Sequence, residues 1–346
     1  MTPRLGIVGP GAIAERHAAA LTAAGADLAA VAGPDRGQAA AFATRFGIKQ
    51  VYGTAGDLYA HPGLDAVVIA SPHAHHAAQT LAALDAGLHV LCEIPLALSL
   101  ADAEAVAERA RATGRLVAVA HTLRFCRPYL RVREEIERGA LSVTHVVART
   151  LMLRQDDTGM GGRPRDWTDD VLWHHGAHTV DAALWLLGAQ RADERGTGEE
   201  PWRAEVHGAR DEPWRAEVHG ARGEPWRADV YGARGESWRG GPPMDAGAVL
   251  RTPGGALATI ALSYHSRLPA RELTVIGQDR TLHLSGGLLR EHDGTVLLDC
   301  GDRMEADGLA RQDADFLDAI TLGRPPGCSA ADILPATRVL HEWGAR

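Results

Sequence analysis

The sequence predicts two domains: an α/β domain with a parallel sheet, followed by an α+β domain with a mostly antiparallel sheet. Its 346 residues exceed what one hydrophobic core usually fills. Short apolar runs alternate with alanine-rich segments up to residue 122, whereas strand-like runs follow one another beyond it. We therefore expect the first domain at residues 1–122 and the second at 123–346, with an insertion at 200–240.

The first domain is predicted from its alternation of strands and helices. Continuous apolar runs, typical of parallel strands covered on both faces, lie at Leu5–Val8, Leu28–Ala32, Ala66–Ala70, His89–Cys92 and Leu116–Ala120. The helix candidates between them, each followed within two residues by a glycine that can cap it, are Ile13–Ala24, Arg36–Arg45, His75–Ala86 and Leu100–Thr113. This alternation predicts a doubly wound sheet.

The second domain is predicted from runs of strands beside a few helices. The strand-like runs are Thr144–Leu153, Gly247–Thr252, Ala256–Tyr264, Glu272–Ile276, Thr281–Leu284 and Thr295–Leu298. The helix candidates are Arg127–Arg138, Leu172–Leu187, Gln312–Thr321 and Ala330–His341. A sheet built in this way is mostly antiparallel.

Residues 200–235 consist of three near-identical twelve-residue units, and a partial fourth begins at Glu236. Units this short and this few do not form a solenoid with its own core. An aromatic surface for a partner is one interpretation, because four of the eight tryptophans lie in the repeat. We favour a tandem duplication within a surface loop, with at most one copy continuing the sheet.

Composition narrows the classes of partner and compartment. The net charge of −8 argues against a nucleic-acid groove. The four scattered cysteines form no CxxC pair and predict free thiols in a reducing compartment. We see neither a signal-peptide core nor an apolar stretch of membrane-spanning length. We therefore expect a cytoplasmic protein that acts on a small molecule, without a membrane or nucleic-acid partner.

The segment Gly9–Ala14 reads G-x-G-x-x-A, follows a predicted strand and opens a predicted helix. This context predicts a dinucleotide-binding Rossmann domain. Gly9 permits the tight turn, and Gly11 lets the backbone approach the pyrophosphate. Ala14 keeps the helix close to the strand, while Ala12 and Ile13 place the helix N-terminus towards the phosphates.

The end of the second strand bears on the choice of nicotinamide cofactor. An acidic residue there would accept a hydrogen bond from the ribose 2′-hydroxyl of NAD, but the position holds Gly33. Arg36 could instead contact the 2′-phosphate of NADP. We predict NADP, with NAD as the alternative in which Arg36 is solvated and Asp35 only caps the helix.

Two further segments lie where strands of an open α/β sheet end, which is where such sheets bind ligands. The first holds Ser71, Pro72 and His76, and the second holds Glu93 and Pro95. Glu93 could reach the nicotinamide ribose. Either segment taken alone could also be a turn without a ligand.

Together these motifs resemble those of the Gfo/Idh/MocA oxidoreductases, along the whole chain except the repeat. Arg124-Phe125 and the segment His174–Asp181 also correspond to motifs of that family. The resemblance implies a nicotinamide-dependent oxidoreductase that uses no metal, and a homo-oligomer formed through the C-terminal sheet.

Two positions depart from the family pattern. Ile94 replaces the lysine usually assigned to proton transfer, and His174 replaces an aspartate. One branch of the family, which oxidises carboxylated semialdehydes from aromatic breakdown, shares both departures. Resemblance to it implies a dicarboxylate substrate that cyclises to a hemiacetal. A sugar or polyol dehydrogenase, and a non-catalytic NADP-binding protein, are the alternatives.

The candidate catalytic residues are His174, His178 and Asp181, which are spaced to share one helix face. Histidine is the natural proton acceptor near neutral pH, and we predict His178 as the base. A zinc site on the two histidines is a weaker alternative, because no third ligand is evident. His175 is predicted to face the core.

The candidate substrate-binding residues are Arg124, Arg154, Arg165 and Trp173. Guanidinium groups bind carboxylates through two parallel hydrogen bonds, which suits a dicarboxylate. We expect about one of the three arginines to be only a surface charge.

Overall fold

The computed structural model describes residues 2–154, 170–189, 204–207, 214–219, 225–235, 243–251 and 255–344. The chain divides into two compact units. Unit 1 holds residues 2–125 together with 306–334, and unit 2 holds the other described residues. The second domain was predicted to run without a break to residue 346, and this is wrong for 306–334.

Unit 1 contains six parallel strands: β1 (Arg4–Val8), β2 (Asp27–Ala32), β3 (Gln50–Tyr52), β4 (Ala66–Ile69), β5 (His89–Cys92) and β6 (Val117–Val119). Its helices are α1 (Ala12–Ala23), α2 (Arg36–Phe46), α3 (Ala55–Tyr59), α4 (His76–Asp85) and α5 (Leu100–Thr113). The strand order β3-β2-β1-β4-β5-β6 is that of a doubly wound Rossmann sheet, as predicted.

The C-terminal part of the chain completes the core of unit 1. Helix α8 (Met304–Leu322) places Phe316 and Leu317 in the apolar cluster on one face of the sheet. Ala330 and Ile333 pack in the cluster on the other face. The parallel sheet is therefore buried on both faces, which explains its continuous apolar strands.

Unit 2 is built on a ten-stranded sheet with the order β16-β15-β14-β13-β7-β12-β11-β10-β9-β8. Its strands are β7 (Val143–Leu153), β8 (Ala204–His207), β9 (Trp214–His219), β10 (Pro225–Arg234), β11 (Asp245–Arg251), β12 (Leu257–Ser263), β13 (His265–Gly277), β14 (Thr281–Ser285), β15 (Leu288–Glu291) and β16 (Val296–Asp299). Among the strand pairs of this sheet in the described ranges, only β7–β12 is parallel, so the prediction of a mostly antiparallel sheet is confirmed.

The helices of unit 2 include α6 (Arg127–Glu137), α7 (Ala177–Ala189) and α9 (Leu334–Gly344). A π-helical turn, Leu172–Gly176, precedes α7 where the sequence predicted ordinary helix. None of the helices in the described ranges is long and apolar enough to cross a membrane.

The repeat departs from its prediction. Each of the three units contributes one strand, β8, β9 and β10, and these pair antiparallel in order beside β11. The expectation that at most one copy continues the sheet is therefore wrong. The physical reason is that an edge strand offers unpaired backbone groups, to which a neighbouring strand pairs without needing a core of its own.

Candidate functional site

The turn after β1 has the geometry of a phosphate-binding loop. Gly9 has a φ of +90°, and a Cβ there would lie 2.6 Å from the backbone nitrogen of Ser71. A Cβ on Gly11 would instead meet open space. Gly11 caps α1 without a side-chain hydrogen bond, so the N–H groups of Ala12 and Ile13 begin the helix with no side-chain cap. Such a helix N-terminus is suited to an anionic phosphate.

The region beyond β2 explains the glycine at position 33. A Cβ on Gly33 would lie 2.6 Å from Cδ of Pro10, so the proline ring occupies the space that an acidic side chain would need. Asp35 caps α2 by accepting a hydrogen bond from the backbone N–H of Gln38 at 3.0 Å. Arg36 follows it, exposed to solvent.

Two loops at the carboxyl ends of β4 and β5 are joined by His76. Its side chain is buried, with Nδ1 2.8 Å from the carbonyl oxygen of Pro95 and Nε2 2.8 Å from that of Ser71. Burial lowers the pKa of His76, while the two carbonyls act in the opposite direction. Ser71 also donates to the side chain of Gln79 at 2.6 Å. His76 therefore lies against the backbone of both loops, and Pro72 follows Ser71 in the first of them.

Glu93 is held by a histidine that the sequence analysis missed. Its Oε1 lies 2.8 Å from Nε2 of His17, whose Nδ1 lies 2.8 Å from Oδ2 of Asp313. Burial alone would lower the pKa of His17, but the carboxylates of Asp313 and Glu93 outweigh it and raise the pKa to about 10. His17 also holds the pKa of Glu93 below its usual range despite burial of that carboxyl. The signal in the sequence was a histidine among the buried residues of α1.

Arg124 lies in unit 1 and is buried there. Its guanidinium donates to the carbonyl oxygen of Asp332 at 3.3 Å. Part of the hydrogen-bonding capacity of Arg124 is therefore used within unit 1.

In unit 2, the π-helical turn brings two histidines to one hydroxyl. Nδ1 of His174 lies 3.0 Å and Nδ1 of His175 lies 2.6 Å from the hydroxyl oxygen of Tyr264. The backbone N–H of Gly176 donates to the carbonyl of Val171 at 2.9 Å, five residues back, which defines the turn. His175, predicted to face the core, is only half-buried and belongs to this cluster. Turns of this kind occur frequently at functional sites.

Tyr264 was also missed by the sequence analysis. It is fully buried, and its backbone N–H donates to the carbonyl of Met244 at 2.7 Å. Its hydroxyl carries one proton, so it can donate to one histidine and must accept from the other. The only sequence signal was an aromatic residue at the end of an alternating run.

Among the remaining predicted residues of unit 2, Arg154 contacts Tyr264. Arg154 places its guanidinium 5.5 Å from the ring centroid of Tyr264, and its backbone N–H donates to the Tyr264 carbonyl at 2.8 Å. Trp173 and His178 are half-buried, whereas Asp181 is buried. Arg165 lies outside the described residues.

The alternative role predicted for His174 and His178 is ligation of a zinc ion. Within the part of the chain that the structure describes, no group of three or more His, Cys, Asp or Glu side chains is placed to hold a metal ion. The histidine cluster is instead organised around a phenol.

Comparison with known proteins defines the class. Residues 3–121 match the profile of the Gfo/Idh/MocA oxidoreductases, described as an oxidoreductase family with an NAD-binding Rossmann fold. Residues 128–214 match the profile of the C-terminal domain of bacterial oxidoreductases. The chain belongs to the Gfo/Idh/MocA family and is an oxidoreductase, as its motifs predicted.

Two curated relatives illustrate the range of substrates in the family. The chain is 29% identical over 346 residues to the 4-carboxy-2-hydroxymuconate-6-semialdehyde dehydrogenase of Sphingobium sp. strain SYK-6, covering 98% of this chain and 97% of that protein. It is 35% identical over 195 residues to the inositol 2-dehydrogenase of Acidothermus cellulolyticus, covering 56% of this chain and 55% of that protein.

Solved structures agree on the fold. A UDP-N-acetylglucosamine 3-dehydrogenase from Acidithiobacillus ferrooxidans superposes with a TM-score of 0.77 at 23% identity, covering 99% of this chain and 96% of that one. An oxidoreductase from Agrobacterium radiobacter, solved with NAD⁺, L-tartaric acid and magnesium, gives 0.76 at 20% identity, covering 100% and 97%. These likenesses establish the architecture of both units.

Proposed function

We propose that this oxidoreductase oxidises a small carboxylated hydroxy compound or cyclic hemiacetal. The leading substrate is 4-carboxy-2-hydroxymuconate-6-semialdehyde, whose cyclic form yields 2-pyrone-4,6-dicarboxylate. The observation that carries the proposal is the histidine cluster on the π-helical turn, in a chain where Ile94 replaces the family lysine. The relative from Sphingobium supports it, because the match extends over nearly the whole of both chains.

Unit 1 would hold the cofactor through its backbone and one carboxylate. Gly9 permits the tight turn and Gly11 would leave room for the pyrophosphate at the N-terminus of α1, while Glu93 would accept hydrogen bonds from the nicotinamide ribose. A bound nicotinamide supplies the acceptor for the hydride. We propose NADP rather than NAD because position 33 lacks an acid, and Arg36 at the first turn of α2 would contact the 2′-phosphate.

Histidine would supply the base. Oxidation of a hemiacetal breaks one O–H and one C–H bond: the hydrogen on carbon leaves as hydride, the hydroxyl proton goes to a base, and a carbonyl forms. We propose that an imidazole nitrogen of His178 takes this proton, with His174 as the next candidate. Tyr264 would hold His174 through its hydroxyl, and buried Asp181 would stabilise the helix face from which His178 projects.

Arginine side chains would bind the substrate carboxylates. Arg154, whose guanidinium lies 5.5 Å from the ring centroid of Tyr264, would bind one of these carboxylates beside the histidine cluster. Arg165 remains a proposal from sequence, as does Trp173 as an apolar wall. Arg124 already donates to the backbone carbonyl of Asp332, so part of its hydrogen-bonding capacity is used within unit 1.

The proposal extends to the compartment and the oligomeric state of the protein. We propose a cytoplasmic enzyme with a small-molecule substrate, which forms a homo-oligomer through the sheet of unit 2. Gel filtration coupled to light scattering would test the assembly, and a monomer at micromolar concentration would contradict it.

The proposed reaction is tested by identifying its product. The purified protein is mixed with NADP and the enzymatically generated semialdehyde, and the products are separated by mass. We expect 2-pyrone-4,6-dicarboxylate and reduced cofactor in equal amounts. Reduced cofactor without the pyrone, or no reaction with either NADP or NAD, would contradict the proposal.

An inositol or sugar dehydrogenase is the second candidate. The observation in its favour is the 35% identity to the inositol 2-dehydrogenase of Acidothermus cellulolyticus over about half of the chain. That activity would be independent of substrate carboxylates, so Arg154→Ala would leave the KM for the polyol unchanged.

A further inference from the structure

His17 stands out among the buried polar residues of unit 1 because both ring nitrogens face carboxylates. Nε2 lies 2.8 Å from Oε1 of Glu93, and Nδ1 lies 2.9 Å and 2.8 Å from the two oxygens of Asp313. The side chains of His17 and Asp313 are fully buried, while 14% of the Glu93 side chain is exposed. The three side chains therefore form a hydrogen-bonded row, and Glu93 is the member of it that is partly exposed to solvent.

The geometry favours a protonated imidazole. A neutral imidazole has one N–H and can donate to only one of the two carboxylates. When both carboxylates are ionised they accept hydrogen bonds and do not donate them, so both ring nitrogens carry a proton. Burial raises the pKa of Asp313, while the charge and hydrogen bond of His17 act in the opposite direction. The raised pKa of His17 is consistent with this state. A buried imidazolium is tolerated only when it is paired in this way.

The far end of the row is anchored in α8. The side-chain amide of Gln312 donates to Oδ1 of Asp313 at 3.3 Å. Its carbonyl oxygen accepts from the hydroxyl of Thr122 at 3.0 Å. The near end is fixed as well, because Oε2 of Glu93 accepts from the backbone N–H of Ile94 at 3.0 Å. The position of the Glu93 carboxylate therefore depends on α1 and α8 together.

We propose that His17, held by Asp313, is a positioning residue that fixes the Glu93 carboxylate for the hydroxyls of the nicotinamide ribose. The inference rests on the proposed cofactor role of Glu93. Each carboxylate oxygen has one protein donor and retains a further lone pair for a ribose hydroxyl. His17 also places a positive charge beside Glu93, whose neighbour in the chain, Ile94, carries no charge. Groups whose supporting contacts lock them in place bind without a cost of reordering.

A double-mutant cycle on cofactor affinity tests the proposal, with the Kd for NADPH measured by fluorescence titration. We expect His17→Gln to raise the Kd about 10-fold, the scale of a lost hydrogen bond to a charged group. In a Glu93→Gln background the same change should alter the Kd by less than about 2-fold, because the group on which His17 acts is already neutral. An equal effect in both backgrounds, or no effect in either, would overturn the proposal.

His89→Gln is the matched control. His89 lies at the opposite end of β5 from Glu93, and its Nδ1 accepts from the backbone N–H of Leu116 at 3.0 Å. This variant should leave the Kd unchanged. If Glu93→Gln alone leaves the Kd unchanged, the cofactor role of Glu93 fails; if only His17→Gln has no effect, the positioning role fails.

Asp313→Asn keeps the inference testable if His17→Gln does not fold. Asparagine preserves the shape but removes one of the two charges that keep His17 protonated. The affinity for NADPH should then fall as the pH rises from 7 to 9, whereas the parent protein should keep its affinity over that range. Parallel pH profiles for the two proteins would overturn the proposal.

Discussion

At the scale of single residues, Pro10 and Gly33 form a pair that neither motif reveals alone. A Cβ at position 33 would lie 2.6 Å and 2.9 Å from Cδ and Cγ of Pro10. A proline ring cannot rotate away as a flexible side chain would. The middle residue of the G-x-G turn therefore keeps an acid from the usual place for a ribose contact.

The first prediction concerns this pair. Gly33→Asp alone should weaken the binding of both NAD and NADP, because the new side chain displaces Pro10 and with it the phosphate-binding turn. Pro10→Ala combined with Gly33→Asp should restore binding and shift the ratio of kcat/KM values towards NAD. The measurement is kcat/KM with each cofactor. A parent protein that clearly prefers NAD would contradict the assignment of NADP.

The second prediction concerns the base. His178→Ala should lower kcat by about 100-fold or more, the usual scale of general base catalysis, with the Kd for NADPH unchanged. Tyr264→Phe removes the hydroxyl shared by His174 and His175 and should have a smaller effect. If kcat survives in His178→Ala but falls in His174→Ala, the base is His174.

The third prediction concerns the pH dependence of stability. The pKa of His17 is raised to about 10 in the folded protein, against an unfolded value of about 6.5. Its stabilising contribution is therefore complete below the unfolded pKa and is lost as the pH rises through the folded pKa. The free energy of unfolding of the parent should fall more steeply than that of His17→Gln between pH 6.5 and 10. Curves of equal slope in urea titrations would contradict a charged His17.

At the scale of secondary-structure elements, the repeat is the most unusual segment. The strands β8 and β9 lie beyond β10, which itself pairs with β11. The strand of the first copy therefore pairs with that of the second, and the strand of the second pairs with that of the third. The strands differ in length, with four residues in β8, six in β9 and ten in β10.

The fourth prediction is that two copies are dispensable. Deleting residues 200–223 removes β8 and β9 in phase and leaves β10 to pair with β11. We expect this variant to fold, bind NADPH and turn over substrate at close to the parental rate. The reason is that β8 and β9 are the last two strands at their edge of the sheet, so no other described strand pairs with them except β10. Loss of soluble protein, or loss of activity in a folded variant, would show that the outer strands contribute to the substrate-binding unit.

Some elements were predictable from sequence because local signals agree with the fold. The apolar runs of β1, β4 and β5 are buried on both faces as expected, and Asp35 caps α2, as in the alternative that left Arg36 solvated. The three-residue strand β3 was missed because it is short and largely exposed. The π-helical turn was missed because the spacing of His174 and His178 is equally compatible with an α-helix.

The candidate site could be predicted only where neighbouring residues define it. The phosphate-binding turn is a local motif, so Gly9 and Gly11 were identified directly. His17 and Asp313 are 296 positions apart, and nothing local indicates that their side chains meet. Tyr264 is 90 positions from His174, so nothing local indicates that these two side chains meet either.

At the scale of the whole molecule, unit 1 is built from two stretches of the chain that are far apart in sequence. Unit 1 is interrupted after Phe125 and completed by residues 306–334. Phe316 is fully buried in the cluster that also contains Leu5 and Ile7. The segment 306–334 is therefore as much a part of the nucleotide-binding unit as its first strand.

The central claim is that this oxidoreductase selects a carboxylated substrate. The measurement that tests it most directly is kcat/KM with NADP for 4-carboxy-2-hydroxymuconate-6-semialdehyde and, in parallel, for inositols and simple sugars. Two charge-assisted contacts at about 1.5–3 kcal/mol each predict a preference of at least about 100-fold for the dicarboxylate. Arg154→Ala should reduce that preference through KM. Equal or higher kcat/KM for an inositol or a sugar would contradict the account.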